Sequence, residues 1–387
     1  MNLELSEEQS AVRDLAASFA DREIVPYAAE WDRAESVDRA IIGKLAKVGF
    51  LGLTIPEEYG GSGGDHLAYC LVLEELGRGD SAVRGIVSVS LGLVGKSVNA
   101  FGTEEQKRHW LPRLTSGEAL ACFALTEPGT GSDAANLTTR AVRDGDDWLI
   151  SGAKTFITNG TWADVALVFA RTGGDEPEQR GHRGITAFLV PTDLPGFTRT
   201  EIHGKLGLRG QATAGLSFEG VRVPDSARLG EVGKGFTVAM AALAKGRMSV
   251  AAGCVGIARA CLEAAVRYAG EREQFGRPIA SHQLVQELLA GIAVDVEAAR
   301  LLTWKVADHI ERGLPFATES SVAKLYASEA AVRAANNALQ VFGGYGFIDE
   351  YPVGKYLRDA RVMTLYEGTS QIHQLLIGRA LTGVNAF

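Results

Sequence analysis

Val165-Ala166-Leu167-Val168-Phe169-Ala170 and Ile185-Thr186-Ala187-Phe188-Leu189-Val190, together with Trp148-Leu149-Ile150-Ser151-Gly152, are short runs of β-forming residues separated by Gly, Asp, Asn and Pro. They set the middle of the chain apart from both ends. The β pattern closes at Ser217-Phe218-Glu219-Gly220-Val221-Arg222-Val223-Pro224, and Gly230 to Gly235 then links into a long helical region. Working outward, the chain divides into a helical domain over 1–115, a β domain over 116–230 and a helical bundle over 231–387. Three blocks in this order, rather than alternating βαβ units, predict a mainly α fold with a middle β domain and argue against a Rossmann domain.

At the N-terminal side, Leu5, Val12, Leu15, Ala16 and Phe19 recur at three- and four-residue steps until Pro26, and the same rhythm returns from Leu67 to Leu76. Between them, Thr54 to Gly64 is a loop rich in glycine with Pro56 near its start. Beyond the β domain, long helices are expected at about 236–270, 281–312 and 316–342, with Gly313 and Pro315 as stop and start signals. Helices of that length predict a four-helix bundle followed by one more C-terminal helix.

The 387 residues suffice for two or three domains, and 46% hydrophobic with 22% charged residues is the composition of an ordinary globular protein. No run of about 18 uncharged apolar residues is evident, so a membrane protein is not expected. The acidic start, Met1-Asn2-Leu3-Glu4-Leu5-Ser6-Glu7-Glu8, has neither a basic region nor an apolar core, which leads us to expect a cytoplasmic protein. Asp and Glu number 47 against 39 Lys and Arg, a net charge of −8, which argues against nucleic acid or an anionic membrane surface as partner. Cys70, Cys122, Cys254 and Cys261 show no CxxC spacing, so no metal site, redox dithiol or disulfide framework is expected.

Five stretches carry chemistry. Thr126-Glu127-Pro128-Gly129-Thr130-Gly131-Ser132-Asp133 packs hydroxyls and backbone amides into one tight loop, which suits a polar planar or phosphorylated ligand and equally a structural turn. Lys154-Thr155-Phe156-Ile157-Thr158-Asn159-Gly160 offers an aromatic ring and a hydroxyl at a strand end, or a plain Asn-Gly turn. Arg272-Glu273-Gln274-Phe275-Gly276 and Gln340-Val341-Phe342-Gly343-Gly344-Tyr345-Gly346 each follow a helix. There an arginine can pair with pyrophosphate and glycines let a ligand approach the backbone, or the glycines merely cap the helix. Tyr366-Glu367-Gly368-Thr369-Ser370-Gln371-Ile372-His373 sets a carboxylate at a helix entrance, where it reads as an acid or base, while the hydroxyls read as an N-cap.

Taken together and in this order, these motifs resemble the acyl-CoA dehydrogenase family over nearly the whole chain. The resemblance implies an N-terminal helical domain, a β-barrel-like middle domain and a C-terminal four-helix bundle, assembled as a homotetramer or dimer around FAD. It implies α,β-dehydrogenation of an acyl thioester, on CoA or on acyl carrier protein, to the trans-2-enoyl thioester, with an electron-transfer flavoprotein or similar acceptor. By the same match Thr126 supports the flavin, Ser132 contacts flavin and substrate, Phe156 and Thr158 flank the ring, and Phe123 stands where relatives often carry tyrosine. Arg272, Gln274, Phe275, His282, Gln283, Gln340, Gly343 and Gly344 match positions for the adenosine and pyrophosphate, partly across a subunit boundary, and Thr369 and Gln371 complete the flavin set.

In this family the base is either the glutamate before Gly-Thr-Ser or the residue before the arginine of a bundle helix. That second residue is Gly246 in this chain, so the resemblance makes Glu367 the base. Gly368, Arg247 and Arg379 fall at substrate positions, the arginines toward the carrier, while Ala244 stands where several relatives have aspartate for CoA. Arg84 falls where the glutaryl-CoA branch binds a distal carboxylate; a buried arginine needs such an anion, while an exposed helical arginine is the commoner case. A flavin oxidase or monooxygenase on the same fold is the alternative reaction class; retention of Glu367 favours the dehydrogenase.

Overall fold

The computed structural model describes residues 4–173 and 181–385; the first three residues of the acidic start lie outside them. The N-terminal part consists of α1 (Glu7–Glu23), α2 (Ala28–Ala34), α3 (Ile41–Lys47), α4 (His66–Gly79), α5 (Ser81–Val87), α6 (Lys96–Phe101) and α7 (Glu104–Thr115). Both α1 and α7 open with a capping box, Ser6 with Gln9 and Thr103 with Gln106, which satisfies the first free amides of each helix. A π-helix, Ser88–Gly95, joins α5 to α6, so that Ser81–Phe101 runs as one helical rod through the interior.

That rod corrects one expectation. Ser81–Phe101 and Gly235–Glu271 are long and apolar enough to cross a membrane, but 94% and 72% of their most apolar windows are buried inside the protein. They are core helices, apolar because other helices surround them.

The β block contains β1 (Ala121–Ala124), β2 (Arg140–Asp144), β3 (Asp147–Thr158), β4 (Val165–Arg171), β5 (Ile185–Pro191), β6 (Phe197–Glu201), β7 (Thr213–Pro224) and β8 (Arg228–Leu229). The order across the sheet is β6-β7-β3-β2-β4-β5-β8, with β1 parallel to β4. Along β4, Val165, Leu167 and Phe169 face the helical core, while Ala166, Val168 and Ala170 face a second core on the other side. Burial on both faces accounts for the unbroken apolar runs in the sequence.

The C-terminal bundle is built from α8 (Gly235–Glu271), α9 (Gln283–Glu311), α10 (Ala317–Phe342), α11 (Val353–Met363) and α12 (Ser370–Thr382), with a small hairpin, β9 (Glu273–Gln274) and β10 (Arg277–Pro278), between the first two. α4 crosses α8 at glycine contacts. A Cβ on Gly77 would lie 2.8 Å from the Gly253 carbonyl oxygen, and one on Gly256 would collide with the Glu74 carbonyl, so backbones meet directly there.

Paired charges lock this junction. Lys355 Nζ sits 3.1 Å from Asp80 and 2.6 Å from Asp359, whose other oxygen accepts from Leu208 N. Burial pulls the Lys355 ammonium down, but Asp359 and Asp80 more than reverse this and hold it above the ordinary lysine range. Glu74 and Glu75 are likewise shared among Arg78, Arg259 and Arg300.

Candidate active site

Where α8, the helical rod and the sheet converge, they enclose a cavity of about 380 Å³, lined on one side by the Thr126–Asp133 loop and the end of β3 and elsewhere by residues that include Arg379. Glu127 fixes the loop. Its carboxylate accepts from Thr138 N and Oγ1 at 2.6 and 2.7 Å, from Thr139 N at 2.8 Å and from Lys154 Nζ at 2.9 Å. Burial raises this carboxyl, yet Lys154 and the threonine donors win and hold it at about 2. Glu127 is therefore an internal strut, which leaves Thr126, Gly131, Ser132 and Asp133 to face the cavity.

A bulge interrupts β3 between Lys154 and Ile157, and within it Phe156 takes a φ of +57° and turns its ring outward, 68% exposed on the cavity rim. Thr158, just beyond, donates its hydroxyl to Gln211 Oε1 at 3.1 Å.

Glu367 lies in the turn between α11 and α12, with φ +55°, followed by Gly368 at +96°. Thr369 caps α12 by accepting from Ile372 N at 3.3 Å, so the turn is fixed from its far end. Glu367 Oε2 is buried without a hydrogen-bond partner among the described residues. Burial raises its carboxyl to about 7 against the pull of Arg247, Arg84 and Lys324. A Cβ on Gly246 would collide with that carboxylate and lie 2.7 Å from Leu93, so a side chain at 246 and the carboxylate of 367 compete for one volume.

Two cations of the cavity are buried without an ion pair among the described residues. Arg84 is 2% exposed; Nη2 donates to Tyr366 Oη at 2.5 Å and Nε has no partner. Arg247 reaches only Ser321 Oγ at 3.3 Å, and its Nε is also unpartnered. The cavity thus joins an apolar lining to a carboxylate of raised pKa and two unneutralised guanidiniums, the signature of a site that handles a proton on an anionic or strongly polar substrate.

Comparison with known proteins agrees over the whole chain. The acyl-CoA dehydrogenase N-terminal, middle and C-terminal domain models match residues 6–118, 122–221 and 233–382. An acyl-CoA dehydrogenase of Bacillus subtilis is 44% identical over 98% of this chain and 100% of its own. The chain belongs to the acyl-CoA dehydrogenase family. The butyryl-CoA dehydrogenase of Megasphaera elsdenii superposes with a TM-score of 0.95 at 39% identity, over 98% of this chain and 100% of that one. A glutaryl-CoA dehydrogenase of Mycobacterium smegmatis in complex with FADH2 superposes at 0.94 with 37% identity, over 99% and 96%.

FAD is the cofactor of the acyl-CoA dehydrogenase family, and its members are flavin oxidoreductases. The cavity fits a flat heterocycle: the Phe156 ring is presented outward, Thr126 and Thr158 stand on the same wall, and a Cβ on Gly129 or Gly131 would meet nothing within 4 Å. Of the residues named from the sequence, Phe123, Thr126, Ser132, Phe156, Thr158, Arg84, Arg247, Glu367, Gly368 and Arg379 all line this cavity.

The others lie elsewhere. Arg272, Gln274, Gly343 and Gly344 border a separate, open cleft of about 450 Å³. Phe275, 93% exposed, and His282 meet edge to face beside it at 5.8 Å. Gln283, Gln340 and Gln371 are exposed, the first and last at the starts of α9 and α12, Gln340 near the end of α10. Sequence reasoning missed Lys324, Tyr366, Gln211 and the Ser88–Ser249 hydroxyl pair at 2.7 Å. Single polar residues in apolar stretches give no signal until the partner is known.

Proposed function

We propose that the chain is an FAD-dependent dehydrogenase of acyl thioesters in which Glu367 removes the α-proton. The observation that carries this reading is the Glu367 carboxylate itself: buried, unpartnered at Oε2 and raised to about 7, where a base both ionises and accepts a proton near neutrality. A thioester α-proton is weakly acidic, so its carbonyl must be polarised as the proton leaves. The backbone N–H of Glu367 meets no acceptor among the described residues and is free to donate to that oxygen. Bound in the cavity, FAD supplies the acceptor for the β-hydrogen as hydride. Phe156 and Thr158 would hold its ring, with Thr126 and Ser132 on the same side. Leu93, Met240 and Leu243 exclude water from the acyl chain.

The open second cleft supports assembly of the cofactor site by a further copy of the chain. Phe275, Leu284 and Phe347 are 93, 76 and 87% exposed around or near it, an apolar surface that a homotetramer or dimer would cover. An electron-transfer flavoprotein is the fitting acceptor for the reduced enzyme.

Arg84 favours a dicarboxylic acyl group. A guanidinium at the cavity wall with no carboxylate partner is costly to bury, and a distal substrate carboxylate would neutralise it. Holoenzyme under nitrogen, mixed with mono- and dicarboxylic acyl groups on CoA and on carrier protein, tests these points by flavin bleaching. Bleaching by wild type and none by FAD-loaded Glu367→Gln is expected; rapid bleaching of that variant rejects the base. Peroxide formed in air at the rate of turnover rejects the dehydrogenase in favour of an oxidase.

A further inference from the structure

Lys324 sits on α10 within a run of buried alanines that packs against α8, fully buried itself and not part of the cavity lining. An ammonium in such a place needs a reason. Its Nζ makes one hydrogen bond, to the carbonyl oxygen of Gly368 at 2.7 Å, the residue directly after Glu367. Two other residues of α10 also touch the site: Ser321 Oγ accepts from Arg247, and Glu329 Oε1 accepts from Ser370 Oγ at 2.5 Å. Ser321, Lys324 and Glu329 thus tie α10 to the active site at three points.

The turn it grips is one the chain does not hold without help. Glu367 at φ +55° and Gly368 at +96° both occupy the left-handed region, unfavourable for a glutamate. The His373 ring packs on the other side of Gly368, where a Cβ would lie 3.0 Å from Nε2.

The charges facing Glu367 come from several elements. Arg84 of α5, Arg247 of α8 and Lys324 of α10 are the cations. Burial pulls His373 down to about 3, so it is neutral, and pushes Tyr366 and Cys254 up to about 12 and Tyr69 higher still, so these stay protonated. Burial, with Arg247, also pulls the Lys324 ammonium down, to about 8, with Glu367 and Glu329 opposing, which keeps it charged at neutral pH. Arg84 and Arg247 line the cavity, where substrate meets them; Lys324 does not.

The structure assigns Lys324 a positioning role in proton abstraction: it fastens the Gly368 carbonyl, so fixing the turn that aims Glu367, and it is the one of the three cations around that carboxylate that substrate cannot reach. The inference rests on Glu367 being the base.

Acetyl-CoA tests it, because it has α-protons and no β-hydrogen, so exchange of those protons into deuterated water reads the base alone. Exchange is followed across pH in holoenzyme of wild type, Lys324→Gln and Lys324→Met, with FAD content, thermal midpoint and an infrared titration of the Glu367 carboxyl against Glu367→Gln. Gln keeps a donor and loses the charge; the acid limb and the infrared titration should both move up by about one pH unit with the plateau nearly kept. Met loses both, and its plateau should also fall by about tenfold or more as the turn loosens. A Gln variant that titrates like wild type overturns the proposal. So do two variants that take up no FAD, since Lys324 then serves folding alone. Wild type that exchanges no proton, or Glu367→Gln that does, rejects the base reading itself, a result distinct from either of these.

Discussion

At the junction of the N-terminal helices with the bundle, Lys355 lies between Asp80 and Asp359, and Glu74 and Glu75 are shared by three arginines. In the cavity a short way along the same helices, Arg84, Arg247 and Glu367 are also withdrawn from water, and none forms an ion pair among the described residues. Both regions have the same chemical parts. The difference lies in completeness: the junction satisfies its charges from within the protein, and the cavity leaves them for a ligand. Stability and function should therefore respond oppositely to removing a charge in the two places.

The largest effect is expected from Glu367→Gln, which keeps the shape of the cavity and removes the buried carboxylate beside Gly246. Substrate-driven flavin reduction should fall by about 10³- to 10⁴-fold with FAD content unchanged, read by anaerobic stopped-flow absorbance. Residual reduction at a tenth of the wild-type rate would show that another group takes the proton.

Next is Lys355→Met. It leaves two aspartates buried without a cation and should destabilise the protein by about 3 to 5 kcal/mol in denaturant unfolding. A loss below 1 kcal/mol would mean that the junction tolerates incomplete pairing as the cavity does, and the contrast would dissolve.

Arg84→Met probes the other side. Removing an unpaired guanidinium should leave the thermal midpoint unchanged or raise it, within about 1 kcal/mol. Turnover of dicarboxylic acyl thioesters should drop far more than that of monocarboxylic ones. Equal loss on both classes would remove the dicarboxylate reading.

The smallest effect is a pH slope. Glu367 titrates near 7 in the native state and near its ordinary 4.5 unfolded, so between those values the native state holds the extra proton. The stability contributed by this group therefore falls as pH rises through that window and levels off above 7. Proton abstraction needs the ionised form, so the rate rises over the upper part of the same window. Unfolding free energy measured from pH 5 to 8 should lose this component in Glu367→Gln; identical slopes would contradict the burial of the carboxylate.

How much of this was visible in the chain alone depends on the range of the interactions. The three-block order was legible because strand and helix periodicities are local, and Val165 to Ala170 remains β-like whatever packs on it. The long bundle helices were legible for the same reason, from Gly313 and Pro315 as punctuation. The π-turn at Ser88–Gly95 was not, because nothing in Ser-Val-Ser-Leu-Gly-Leu-Val-Gly separates a wide turn from an ordinary one. In the site, Glu367 stood out by its motif. Lys324 did not, since one lysine among alanines reads as a solvated position until Gly368, far along the chain, is seen to accept from it. The burial of Arg84 was equally hidden: it depends on Tyr366 and on Gly253, where a Cβ would lie 2.8 Å from its side chain.

The wide turn at Ser88–Gly95 works as a gauge. Ser88, Val89 and Leu93 on it line the cavity, and Leu93 also touches the space between Gly246 and Glu367. Because a π-turn holds about one residue more than an α-turn, it takes up that residue while the helix on either side keeps its course, and deleting a single residue there would narrow the turn toward a plain α-helix. The contour of the cavity wall is thus open to change by the count of residues in one turn.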